Sequence, residues 1–158
     1  MGATSVLWLD SSTVILRPLD DLWRLIENQG YWFSRNYDWN NGQFCSWEAL
    51  DIMGVSREQA FKIPQVTAAC FGLNLKDRIA LDFLTDWHTL MRLGAFKGDR
   101  GNLTGHVADP AQYQGHRNDQ SCASHVVHSL SMSLTDPPEW WAEQGYPQSD
   151  QTVLTLVR

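Results

Sequence analysis

Clusters of positive charge are absent from this sequence. Its 158 residues include 12 Lys and Arg against 18 Asp and Glu, which gives a formal net charge of −6, and Lys and Arg never form a run. Proteins that bind the phosphate backbone of nucleic acids depend on clustered cations. Nucleic acid is therefore not an expected partner of this chain.

Long apolar runs and paired cysteines are missing as well. No stretch approaches the roughly 20 apolar residues of a membrane span, and the first residues carry no basic leader region. Cys45, Cys70 and Cys122 lie far apart and are odd in number. This spacing supports neither a zinc knuckle nor a disulfide framework. We expect free thiols, no membrane span and a cytoplasmic location.

What the sequence does have is apolar content sufficient for a core, with eight tryptophans among its aromatic residues. The chain length suits one domain of ordinary size. Most of the tryptophans must pack internally, and the flat face of any other can stack on a ring in a binding cleft.

Strand and helix patterns alternate along the chain, which predicts a mixed α/β fold. Strands are predicted at Val6–Leu9, Thr13–Leu16, Tyr31–Ser34, Val66–Leu75 and 152–157. Helices are predicted from Asp20 or Asp21 to Gly30, from Ser46 to Gly54, from Ser56 to Pro64, from Asp77 to Gly94 and from Asn118 or Asp119 to Leu134. The polar composition of residues 35–43 and the glycine content of residues 97–116 predict loops.

Asp10, Ser11 and Ser12 directly follow the first predicted strand. A carboxylate at the end of a strand lies at the edge of a sheet, where open α/β sheets bind ligands. Since the strand is almost continuously apolar, we expect it inside the sheet with Asp10 in the main cleft. The alternative is a solvated turn between two strands, because Asp and Ser favour turns.

The stretch Gly115–Ser121 places cationic and amide groups in front of a helix. The unpaired N–H groups of a first helical turn suit an anion such as a phosphate, and a fixed carboxylate suits a sugar hydroxyl. The alternative is a well-capped helix with no ligand. Cys122, His125 and His128 follow on the same helix. Cys122 and His125 are one turn apart, so a Cys-His nucleophile is geometrically conceivable, but it is a poor interpretation because such pairs usually come from separate elements. A metal site is also a poor interpretation, because three residues at this spacing turn partly away from a single point.

Three patterns occur in a fixed order: VLWLDSSTV at Val6–Val14, TAACFGLN at Thr67–Asn74 and HRNDQS at His116–Ser121. In order and spacing they resemble elements of the nucleotide-sugar glycosyltransferases of the GT-A type, in a branch with a His-Arg-x-Asp-Gln-Ser element. The third pattern is the most specific, and the resemblance covers most of residues 5–134. It implies a GT-A-like mixed sheet flanked by helices.

In that family the nucleotide-binding strands precede the acidic turn, and here few residues do so. The resemblance therefore implies that residues 1–158 are a single, partial GT-A domain, the later half, which lacks the N-terminal nucleotide-binding strands. Such a half-domain is expected to be marginal in solution and to self-associate through an uncovered strand.

The resemblance also implies roles for individual residues. Asp119 is expected to be catalytic and to point into the same cleft as Asp10. Five residues are expected to bind donor or acceptor: Asp10, Ser12, His116, Arg117 and Gln120. The family turn is typically Asp-x-Asp and holds Mg²⁺ or Mn²⁺ against the diphosphate. Because Ser12 replaces the second carboxylate, we expect Asp10 to be at most a weak metal ligand.

The implied function is transfer of a sugar from a nucleotide donor to an unidentified acceptor. A chain that lacks half of the domain could be inactive by itself. The alternative from another class is a non-catalytic carbohydrate-binding or interaction module built on the same scaffold. The missing upstream strands favour this alternative, and the His-Arg-x-Asp-Gln-Ser element favours the enzyme.

Overall fold

The computed structural model describes residues 4–98 and 112–157, so most of the predicted loop at 97–116 lies outside the described residues. The chain forms two compact units that interleave along the sequence. The first consists of Met1–Tyr37, Thr67–Asp82 and Ser133–Arg158, and the second of Asp38–Val66 and Phe83–Met132. Both helices and strands are present, and the predicted mixed α/β class is confirmed.

The elements are numbered along the chain and divide between the two units. The first unit contains β1 (Ser5–Leu9), β2 (Thr13–Ile15), α1 (Asp20–Gln29), β3 (Tyr31–Trp32), β6 (Cys70–Asn74), β7 (Trp141–Glu143) and β8 (Leu154–Leu156). The second unit contains α2 (Asn41–Phe44), α3 (Trp47–Met53), α4 (Arg57–Ala60), β5 (Pro64–Val66) and α6 (Asn118–Ser129). Two elements, β4 (Arg35–Asn40) and α5 (Arg78–Leu93), begin in the first unit and end in the second.

The main sheet of the first unit has the order β1-β6-β3, and both pairings are antiparallel. One face packs against α1, whose Leu22 and Ile26 are fully buried. Gly72 lies in β6 under this helix, and a Cβ there would come within 2.3 Å of the Ile26 Cδ1 atom. The glycine is therefore required by the close approach of α1 to the sheet.

The strand β1 lies at the edge of this sheet, so the expectation that Val6–Leu9 lies inside it is wrong. Its side chains alternate: Leu7 and Leu9 pack against the core, while Val6 and Trp8 are exposed. Trp8 stacks on Phe71 of the neighbouring strand at 6.3 Å between ring centroids. A strand covered on one face needs only alternate apolar residues, and its additional apolar side chains remain in contact with solvent.

A second sheet of the first unit has the order β2-β8-β7. The strand β8 is antiparallel to β2 and parallel to β7. Trp141 and Leu154 are buried in the core of this unit. Val14 and Ile15 are largely exposed. Among the described residues, this sheet therefore joins the beginning of the chain to its end.

The second unit contains a strand and a helix where the sequence predicted a loop, at residues 35–43. The strand β4, whose last three residues belong to this unit, pairs with β5, and α2 follows it directly. A capping box starts α2: the Asn40 side chain accepts from the backbone N–H of Gln43, and the Gln43 side chain accepts from that of Asn40. Asn and Gly favour turns when a segment has no distant partner, and here the partner strand is distant in sequence.

The helix α6 ends at Ser129, so the predicted end at Leu134 is wrong. Ser131 has a left-handed backbone (φ 53°), and the Met132 N–H donates to the Val127 carbonyl. The chain therefore turns away before Leu134. In the part of the chain that the structure describes, no helix has the length and apolar character needed to cross a bilayer.

Candidate functional site

The segment that precedes α6 is hydrogen-bonded to the chain around α2. The Gln114 N–H donates to the Gln43 carbonyl at 2.8 Å, and the Arg117 N–H donates to the Phe44 carbonyl at 3.0 Å. Gly115 between them has φ 111°, a left-handed conformation that an L side chain rarely adopts. The entry to α6 is thus set by backbone bonds to a part of the chain about 70 residues earlier.

His116 is fully buried, and both of its ring nitrogens bond to the backbone. Nδ1 accepts from the Ser46 N–H at 3.2 Å, and Nε2 lies 3.0 Å from the Ala95 carbonyl. A carbonyl can only accept, so Nε2 carries the proton. Burial lowers the pKa of this imidazole, since the charged form loses its hydration. The ring therefore positions the loop, and neither nitrogen is left for direct contact with a sugar or phosphate.

Arg117 and Asn118 complete the entry to the helix. The Arg117 guanidinium lies over the rings of Trp39 and Phe44, at 5.1 Å and 5.2 Å from their centroids. Cation–π contacts of this kind hold a charge in a defined place. The Asn118 side chain donates to the Phe96 carbonyl at 2.6 Å, and its backbone has φ 45°. A cation therefore lies immediately before the first turn of α6.

Asp119 lies in the first turn of α6, as predicted, and its side chain is exposed. Its backbone carbonyl accepts from the Trp87 indole N–H at 3.0 Å. Among the described residues its carboxylate has no hydrogen-bond partner, and no cap bond comes from Arg117. A negative side chain is favoured at this end of a helix. The backbone of Asp119 is thus fixed while its carboxylate faces solvent.

Gln120 belongs to a network of amides centred on the buried Gln65. The Gln120 Nε2 atom donates to the Gln65 Oε1 atom at 3.0 Å. The fully buried Gln65 donates in turn to the Asn41 Oδ1 atom and the Ser121 Oγ atom, each at 3.2 Å. The side-chain NH₂ group of Gln120 donates to Gln65, so the side-chain oxygen of Gln120 is the atom that can accept a hydrogen bond from a ligand.

Ser121 connects the same network to the helix α2. Its hydroxyl donates to the Phe44 carbonyl at 2.5 Å, and its own carbonyl accepts from the Asn41 Nδ2 atom at 2.8 Å. One turn later, the Ser124 hydroxyl accepts from the Val66 N–H at 3.0 Å. The first turns of α6 are therefore tied to α2 and β5, while the Asp119 carboxylate and the Gln120 carbonyl oxygen accept no hydrogen bond within the described residues.

Asp10 and Ser12 lie in the first unit, in the turn after β1. The Asp10 N–H donates to the Ala69 carbonyl, and the Asp10 carbonyl accepts from the Thr13 N–H, both at 2.8 Å. Both Asp10 and Ser12 are exposed. Among the described residues, no three His, Cys, Asp or Glu side chains are grouped so that they could hold a metal. A lone carboxylate and a hydroxyl do not fit a Mg²⁺ or Mn²⁺ centre held by protein ligands alone.

The residues Cys122, His125 and His128 do not form a nucleophilic site. Cys122 is buried, its thiol lies 3.4 Å from the Ala95 carbonyl, and burial raises the pKa of the thiol well above its usual value. A thiol of this kind is a poor nucleophile. The pKa of His125 is lowered by burial and by its neighbour His128.

Sequence patterns missed the residues that support the site, namely Gln65, Asn41 and Trp87. Each lies outside the His116–Ser121 segment and contacts it through a side chain. The signal that could have identified Gln65 is a polar side chain between apolar neighbours in a short segment, whereas Asn41, between Asn40 and Gly42, carries no such signal. Such residues are normally hydrogen-bonded in a core, but the sequence does not say to what.

A scan against protein-family models found no match for this chain, and a comparison with curated proteins found no significant relative. The functional assignment therefore depends on the geometry of the site.

Proposed function

We propose that this chain is a glycosyltransferase-like protein that transfers a sugar from a nucleotide donor to an acceptor, with Asp119 as its catalytic residue. One observation carries the proposal: the residues around Asp119 are held by neighbours on several sides, while its own carboxylate is exposed. Pre-positioned polar groups of this kind are what binding and proton transfer require. The GT-A-like fold is part of the same proposal.

Asp119 and Gln120 would act together on the sugar or the acceptor. A carboxylate accepts hydrogen bonds from hydroxyl groups and can take the proton of an attacking hydroxyl. The carbonyl oxygen of Gln120 is a second acceptor, held in place because its amide donates to Gln65. Two adjacent acceptors suit a sugar hydroxyl better than they suit a phosphate.

His116 and Arg117 would contribute in different ways. His116 is a positioning residue, because both ring nitrogens bond to the backbone. The Arg117 guanidinium is half-buried over two aromatic rings, where a positive charge would attract the diphosphate of a donor. Arg117 is therefore proposed as the donor-binding member of the pair.

Asp10 and Ser12 belong to the first unit, and their role at a diphosphate is proposed for that unit by itself. A carboxylate repels a diphosphate, so a direct contact would need a proton, or a divalent cation that arrives with the donor. Ser12 could donate its hydroxyl to a phosphate oxygen. Since these two residues do not fit a protein-held metal centre, the transfer step proposed here rests on the side chains of the protein itself.

The substitution Asp119→Asn tests the proposal. Asn suits the start of a helix about as well as Asp, so we expect stability to change by less than about 1 kcal/mol. Calorimetric titration with UDP-glucose, UDP-galactose and UDP-N-acetylglucosamine measures donor binding, and release of UDP measures turnover. We expect turnover to fall at least about tenfold, the effect of losing an acid–base group.

Asp51→Asn is the matched control, because Asp51 is an exposed acid in the last turn of α3 and should leave binding and turnover unchanged. A wild-type chain that neither binds nor turns over any donor contradicts the proposal. Binding of sugars without turnover, unaffected by Asp119→Asn, would support the non-catalytic module instead.

A further inference from the structure

The first unit contains a cavity of about 350 Å³ where three segments of the chain meet. The first segment contributes Arg17, just before α1, and Asp20, the first residue of α1. The second segment contributes Trp140, just before β7. The third contributes Asp150 and Gln151, which lie in the turn before β8. Small-molecule sites usually have volumes of roughly 300–1,000 Å³. The cavity is therefore large enough for a ligand.

The turn that carries Asp150 and Gln151 is held by a set of hydrogen bonds. The Ser149 N–H donates to the Thr152 hydroxyl at 2.9 Å, and the Gln151 N–H donates to the Ser149 hydroxyl at 3.2 Å. Both hydroxyls donate in turn to the Pro138 carbonyl. Asp150 and Gln151 therefore project from a backbone that is fixed before any ligand arrives.

Trp140 is fixed as well. Its carbonyl accepts from the N–H groups of Val153 and Leu154, both at 3.1 Å, and its indole N–H donates to the Glu139 carboxylate at 3.1 Å. The ring is half-buried and packs against the core of the first unit. Trp140 is thus a fixed residue in the lining of the cavity.

The polar side chains around the cavity have unused bonding capacity. In the described part of the chain, the side chains of Arg17, Asp20, Asp150 and Gln151 form no hydrogen bond or ion pair, whereas Asp21 pairs with Arg24 at 2.8 Å. Arg17 offers only donors, the carboxylates offer only acceptors, and the Gln151 amide offers both. The cavity therefore presents donors and acceptors together.

We propose that this cavity binds a neutral polyhydroxylated ring, that is, a sugar. Asp21 also lines the cavity, so an anion would meet the carboxylates of Asp20, Asp21 and Asp150. A cation would meet Arg17, so either charge is opposed by part of the lining. A hydroxyl both donates and accepts, and it can use the guanidinium, the amide and the carboxylates at once. The apolar face of a sugar ring would stack on Trp140.

The site needs no covalent step and does not depend on Asp119. It would serve equally in a transferase and in a carbohydrate-binding protein, so its test is separate from the test of the transfer reaction.

The experiment is an NMR titration of the ¹⁵N-labelled full chain with single sugars. The probes are methyl α-glucoside, methyl β-galactoside, methyl α-mannoside and N-acetylglucosamine, each raised to about 50 mM, a range that covers millimolar affinities. We expect at least one sugar to give saturable shifts of the Trp140 indole and Gln151 amide signals. Asp150→Asn, which suits a turn equally well, should weaken this binding about tenfold, as expected when a hydrogen bond to a charged group is lost.

Glu27→Gln is the matched control, because Glu27 is an exposed acid of α1 that does not line the cavity, and it should leave the affinity unchanged. The proposal is overturned if none of the sugars shifts these signals, or if Asp150→Asn binds as well as the wild type. Tighter binding of spermidine or of inorganic phosphate than of every sugar, with the same signals shifted, would also overturn it.

Discussion

Gln65 offers the most direct measurement of how firmly the candidate site is held. The substitution Gln65→Met keeps the length of the side chain and removes its polar end. Three hydrogen bonds disappear: those to the Asn41 Oδ1 atom and the Ser121 Oγ atom, and the one received from Gln120. We expect the second unit to lose stability while its packing stays nearly unchanged, because swaps that conserve volume cost little in a core.

The loss of stability depends on whether each former hydrogen-bond partner of Gln65 can find another partner. Asn41 is fully buried, so its Oδ1 atom loses its donor and cannot reach water. Ser121 still donates to the Phe44 carbonyl, and Gln120 is only half-buried and can bond to solvent. One buried acceptor left without a partner costs about 1–3 kcal/mol. We therefore expect the free energy of unfolding to fall by about 2 kcal/mol and Tm by about 6 °C.

Urea unfolding of the wild type and the variant measures this difference, and the m value should not change. Gln144→Met is the control, because Gln144 is exposed in the turn after β7 and its substitution should cost less than about 0.5 kcal/mol. If Gln65→Met also lowers the free energy of unfolding by less than about 0.5 kcal/mol, the hydrogen bonds of Gln65 do not stabilise the second unit.

Two further predictions concern a buried histidine and an exposed strand. Burial lowers the pKa of His116, so the unfolded chain binds a proton more readily than the folded one. The free energy of unfolding should therefore have its full value above about pH 6.5 and decrease as the pH drops below it. Urea unfolding at about pH 7.5 and about pH 5 measures this difference. NMR should find the imidazole proton on Nε2, and a His116 ring that titrates at or above about pH 6.5 would contradict this prediction. Trp8→Lys should reduce self-association in sedimentation experiments, because it removes an exposed indole and places a charge on the edge strand β1. Leu93→Lys, which removes an exposed apolar side chain from a helix, is its control, and equal association of the wild type and Trp8→Lys would count against the edge-strand explanation.

Several helix ends could be predicted because their causes lie within a few residues. Ser46 caps α3, and Gly54 ends it with a left-handed backbone, as predicted. The start of α4 at Ser56, where Ser56 and Gln59 form a capping box, and the end of α1 at Gly30 are confirmed in the same way. These motifs depend on side chains that meet neighbouring backbone groups, so the sequence pattern contains all the partners.

Distant pairings could not be predicted in this way. The strand β4 exists because β5 pairs with it, and nothing in the composition of residues 35–43 indicates that partner. The same holds for His116: its polar neighbours indicate a binding residue, whereas its bonds to Ser46 and Ala95 make it part of the core. Asp119 was placed correctly at the helix start because a first-turn acid is a local signal.

The pairing of β2 with β8 has a consequence for how the protein is made. Residues 13–15 find their partner only when residues 154–156 have been synthesised. At a ribosomal rate of about 5–20 residues per second, β2 waits roughly 7–28 s for the backbone partner that β8 supplies. The segments of the second unit, which end at Met132, leave the ribosome earlier. The growing chain can therefore fold its second unit before its first.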